Sequence, residues 1–73
     1  MSIKGIMQTA AKRKKKKYDD IAAILGISRQ TYANTLSRGN MNARTVEKVA
    51  DFLDCDIVFI DRKTGDVYCG YDD

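Results

Sequence analysis

The sequence of 73 residues predicts a mainly α domain of four helices with a C-terminal β-hairpin. Three observations lead to this class. Apolar residues recur at helical spacing in successive segments up to about residue 54. Gly26 and Gly39 fall where two of those stripes stop. Beyond residue 54, two β-branched and aromatic runs flank a turn that contains glycine. We read one domain over 1–73, helical to about residue 54 and a hairpin over 55–71. A chain of this size buries only about 60% of its unfolded surface, so support from a second chain is in keeping with its length.

The first helix is expected from Ser2 to about Lys14, with Ile3, Ile6, Met7 and Ala10 at helical spacing. Ala11 favours this helix and Gly5 weakens it. The second helix begins after Lys17, where no side chain can accept a bond as a cap. Asp19 and Asp20 in its first turn suit the positive end of the helix, which explains them better than a catalytic carboxylate pair does. Ile21, Ala22 and Leu25 form its apolar face, and Gly26 is the left-handed stop. Ile27 then stands where a hydrophobe folds back on the preceding turn.

Ser28 caps a third helix by accepting from the amide of Gln30 or Thr31, and Gly39 ends that helix eleven residues on. At about 100° per residue, Tyr32 and Leu36 share a core face with Ala33 at its edge. Gln30, Asn34 and Ser37 form the opposite stripe, with Thr31 and Arg38 beside it. Asn is a mediocre helix former, and Lys or Glu serves solubility better. Carboxamides do, however, match the donor and acceptor on adenine's edge in the major groove. Two short helices joined by a Gly-containing turn, the second with an outward amide face, make the helix-turn-helix pattern.

After the connector Gly39-Asn40-Met41, Asn42 caps a fourth helix from Ala43 to about Leu53. Val46, Val49, Ala50 and Leu53 form its apolar stripe, with Phe52 alongside. The runs 56–60 and 67–71, joined through Arg62-Lys63-Thr64-Gly65, read as a β-hairpin. A lone hairpin is marginal in water, so it must pack on its own helices or on the hairpin of a second molecule. With Asp61 opposite Asp66, Cys69 faces Val58 and not Cys55, which leaves two free, buried or half-buried thiols.

Charge is divided unevenly along the chain. Residues 1–44 hold ten Lys or Arg against Asp19 and Asp20, a net of +8, whereas residues 45–73 hold three against eight acids, a net of −5. One half is suited to a polyanion. Much of that charge lies in the run Lys12 to Lys17, read as phosphate-contacting, although a solvated helix end explains it too. Histidine is absent and the two cysteines lack a second pair, so neither a general base of the usual kind nor a zinc site is expected. There is no phosphate-binding glycine loop. We therefore expect no enzyme, no catalytic residue, no metal, no cofactor and no small-molecule substrate. Without an apolar run of membrane length or a leader of secretory type, a soluble cytoplasmic protein is expected.

Ile21-Ala22, Leu25-Gly26-Ile27-Ser28 and Arg29-Gln30-Thr31, followed by Leu36 and Gly39, resemble the helix-turn-helix of the lambda repressor and Cro superfamily, the XRE-type regulators. Counting Tyr18 as the first residue of the motif, its Ala at position five and Gly at position nine are Ala22 and Gly26. The resemblance covers residues 18–54 and departs in two places. The family often has Gln where Tyr18 stands, meeting a backbone phosphate, and its next glycine usually comes 12 rather than 13 residues after the turn glycine.

The resemblance implies a lambda repressor-like DNA-binding domain with a double-stranded DNA operator as partner. It implies a Cro-like transcriptional repressor of phage, mobile-element or bacterial origin. Gln30 and Asn34 are the first choices for reading bases, with Arg29 and Thr31 beside them. Phosphate contacts are assigned to Lys14, Lys15, Lys16, Lys17, Tyr18, Ser28, Ser37, Arg38, Asn40, Asn42 and Arg44. Cro-like proteins use C-terminal strands to dimerise, which assigns Ile57, Val58, Phe59, Ile60, Val67 and Tyr68 to a homodimer contact. The competing reading is an antitoxin-like or adaptor module whose protein partner binds the hairpin edge or the acidic half.

Overall fold

The computed structural model describes residues 2–70. Four helices are followed by a two-stranded antiparallel hairpin: α1 Ile3–Arg13, α2 Tyr18–Leu25, α3 Arg29–Arg38, α4 Ala43–Phe52, β1 Val58–Ile60 and β2 Val67–Cys69. The expected fold class is the observed one. Tyr71, placed by the sequence reading in the second strand, lies outside the described residues.

Each helix contributes two residues to one core: Met7 and Ala11, Ile21 and Ala22, Tyr32 and Leu36, and Val49 with Leu53 just past the end of α4. No polar side chain among the described residues is buried with them. The core face of α1 differs from the expected stripe. Met7 and Ala11, four apart, face the core, Ala10 packs at its edge, and Ile3 and Ile6 are left 44% and 51% exposed.

Helix ends follow one rule. The N-termini of α1, α3 and α4 are capped by Ser2, Ser28 and Asn42, whose side-chain oxygens accept from the amides of Gly5, Thr31 and Thr45, each three residues on, at 2.8–3.0 Å. At α2 the cap is supplied from inside the helix, because Asp20 Oδ2 accepts from the Lys17 amide at 2.9 Å. All four C-termini close through one left-handed residue, and the next amide reaches back across the last turn. Lys16 donates to Ala11, Ile27 to Ala22, Asn40 to Thr35 and Cys55 to Ala50. The left-handed residues are Lys15, Gly26, Gly39 and Asp54, with φ of 58°, 71°, 64° and 56°.

The hairpin pairs Val58 with Cys69, Phe59 with Tyr68 and Ile60 with Val67. Cys69 thus stands opposite Val58 as expected, and both cysteines are free and half-buried. The strands are shorter than the runs that suggested them, since Asp56 and Ile57 serve as the link from α4. Asp61 shapes the turn: its Oδ1 accepts from the amides of Lys63 and Thr64, its amide donates to the Asp66 carbonyl at 2.8 Å, and Gly65 takes the left-handed conformation. The helices leave the hairpin uncovered, with Phe59 77% and Ile60 61% exposed. The molecule is correspondingly elongated, 40 × 23 × 23 Å.

Candidate nucleic-acid interface

The candidate surface begins with α3. Burial of Tyr32 and Leu36 fixes the rotation of this helix, and the period of 3.6 residues then turns Gln30, Thr31, Asn34, Ser37 and Arg38 outward, all exposed. Neither the hairpin nor another helix covers Gln30 or Asn34. The two are linked: Gln30 Nε2 donates to Asn34 Oδ1 at 3.1 Å. That bond leaves Asn34 presenting its amide donors, and Gln30 its carbonyl oxygen and one remaining N–H.

Around this pair the polar groups are partly committed within the protein. Ser28 Oγ accepts from the Thr31 amide and donates to Thr31 Oγ1 at 2.8 Å, so its proton and one lone pair both serve the cap. Thr35 Oγ1 turns back to the Thr31 carbonyl. Arg29 is tethered to α2, with Nε 3.6 Å from Asp19 Oδ1 and the guanidinium over the Tyr18 ring at 5.9 Å.

Tyr18 joins three helices. Its half-buried ring and that of Tyr32 form a T-shaped pair with centroids 5.2 Å apart, and its hydroxyl accepts from Gln8 Nε2 at 2.8 Å. Burial raises the ionisation of Tyr32 above its usual value of 10.0, and the neighbouring Tyr18 adds to the shift. The sequence assigns neither Gln8 nor Asp19 to the site. No local signal marks Gln8, and Asp19 was explained by the helix dipole alone.

The basic run changes direction in its middle. Lys14 ends α1, Lys15 is left-handed, Lys16 lies over the Phe52 ring at 5.2 Å, and Lys17 starts α2. All four are exposed. At the start of α4, Asn42 uses Oδ1 for its cap and retains its amide donors, beside exposed Asn40 and Arg44. On the hairpin, Phe59 and Tyr68 pair on one face and Ile60 and Val67 on the other, so both faces are apolar. Phe59 also reaches an open groove walled by Ile3, Val46 and Ile57, with Glu47 and Asp51 in the same wall. Among the described residues, no cluster of three His, Cys, Asp or Glu side chains could hold a metal, and no helix is long and apolar enough to cross a membrane.

Residues 6–58 match the family model described as the Cro/C1-type HTH DNA-binding domain. Comparison with curated proteins and with solved structures gives no match.

Proposed function

The chain belongs to the Cro/C1-type helix-turn-helix DNA-binding family, and from that premise we propose that it is a sequence-specific regulator of transcription acting as a Cro-like repressor of phage, mobile-element or bacterial type. It occupies a double-stranded DNA operator, and the helix 28–38 reads the major groove. The observation that carries this is the division of α3 between a buried pair, Tyr32 and Leu36, and an uncovered carboxamide pair, Gln30 and Asn34. Gln30 and Asn34 contact bases, with Thr31 and Arg29 next to them. The exposed cations of 14–17 hold the phosphate backbone, each phosphate adding about 0.9 to the slope of log affinity against log salt. Tyr18, Ser37, Arg38, Asn40, Asn42 and Arg44 are assigned to the same strand backbones, with Ser28 as the cap that fixes the helix facing them.

The repressor acts as a homodimer joined through Ile57, Val58, Phe59, Ile60, Val67 and Tyr68. The hairpin supports this because it is apolar on both faces and uncovered. Two such protomers bind half-sites about one helical turn apart.

Selection from a random double-stranded DNA library tests the proposal. Enrichment of a discrete palindromic site is the expected result. Salt-sensitive binding with no enriched site contradicts it and favours the adaptor reading.

A further inference from the structure

Arg29 occupies an unfavourable place. As the first residue of α3 it puts a cation at the positive end of a helix, where an anion is preferred. Two contacts nevertheless hold it there. Asp19 Oδ1 forms an exposed ion pair with Nε at 3.6 Å, and the Tyr18 ring lies beneath the guanidinium at 5.9 Å. That platform is itself fixed, because Tyr18 is wedged against buried Tyr32 and its hydroxyl is held by Gln8. Asp19 suits the positive end of α2, yet it is also an exposed carboxylate in the half of the chain with a net charge of +8. An ion pair at Nε leaves the two terminal nitrogens, which it does not use, as a planar fork. Such a fork matches the O6 and N7 acceptors of guanine.

We propose that Asp19 is a positioning residue: it aims the Arg29 fork at a guanine and keeps it off the phosphates, so that an acid on α2 sets one base of the recognised site. This rests on α3 reading the major groove. Asp19 gives up overall affinity through its repulsion of DNA, and it gains discrimination at one position.

The test uses the full chain and the site recovered by library selection. Arg29→Ala identifies the position at which guanine preference disappears. Binding of the wild type, Asp19→Asn, Asp20→Asn and Arg29→Lys is then measured on that site and on the site with this guanine replaced, across a series of salt concentrations. The wild type is expected to prefer guanine by roughly 5- to 150-fold, the range of a good bidentate pair. Asp19→Asn is expected to cut that preference several-fold and to steepen the salt slope by about 0.9, as the released Arg29 finds a phosphate. Arg29→Lys keeps the charge and loses the preference. Asp20→Asn removes an equal charge from the same helix turn and is expected to leave the preference unchanged. Guanine preference that survives Asp19→Asn overturns the inference, as does an Arg29→Ala variant weakened equally on every sequence. If Gln30→Ala and Asn34→Ala still alter base preference in that case, only the role of Asp19 has failed. If they do not, groove reading by α3 has failed with it.

Discussion

Tyr32 shows how one residue serves both core and surface. Its burial leaves the opposite face of α3 free, and its T-shaped ring contact fixes Tyr18, which in turn carries Arg29. The same burial favours the neutral phenol, with the neighbouring Tyr18 acting in the same direction. A group whose folded value is raised keeps its proton in the folded chain after the unfolded chain has released one. Stability from Tyr32 is therefore complete below the unfolded value near 10 and is lost as pH rises from there through the folded value. Denaturant melts between pH 8 and 11 are expected to show stability falling at the alkaline end. In Tyr32→Phe that part of the fall should disappear, and an unchanged pH profile would count against it.

At the scale of elements, the turns between helices are set by single left-handed residues. Nothing lies within 4 Å of a Cβ built on Gly26, so Gly26→Ala isolates the cost of φ +71° from any clash. We expect about 1–2 kcal/mol of destabilisation in a urea melt. Lys15 has the mirror-image problem, a β-carbon already at φ 58°. Lys15→Gly should therefore raise stability by about 0.5–1 kcal/mol, even though it discards a cation. These ends also explain what could be read from the residues. Two of the four fall on glycine, so the close of α2 and of α3 was legible. The other two fall on Lys15 and Asp54, side chains that do not mark αL, and those ends, at about Lys14 and about Leu53, were read from where the apolar stripes stop. The caps at Ser28 and Asn42 were legible for the same kind of reason, a short acceptor ahead of an apolar stripe. The capping of α2 from Asp20 was not, because the acceptor lies inside the helix. Gln8 and Asp19 act across helices, where sequence spacing carries no information.

Over the whole molecule the two ends differ in chemistry. Cations and carboxamides gather on the helical half, while the acidic half ends in an apolar hairpin that its own helices leave bare. The sequence showed that this hairpin needed a partner and left open whether its own helices would serve. If it joins two copies, Phe59→Asp costs an isolated protomer little, since Phe59 is already 77% exposed. Sedimentation equilibrium should then show the dimer replaced by a folded monomer, with affinity lost for the full palindrome and kept for a half-site. A wild type that is monomeric at every concentration, including on DNA, rules out that contact. If α3 reads sequence and the basic run supplies affinity, base-preference profiles at several salt concentrations separate the two, measured on the wild type, Gln30→Ala, Asn34→Ala and a variant with 14–17 replaced by Ala. The carboxamide variants should lose about 1–3 kcal/mol of discrimination at confined positions, and the lysine variant should weaken on all sequences alike with a flatter salt dependence. Uniform weakening in the carboxamide variants, with every base preference intact, would contradict the account.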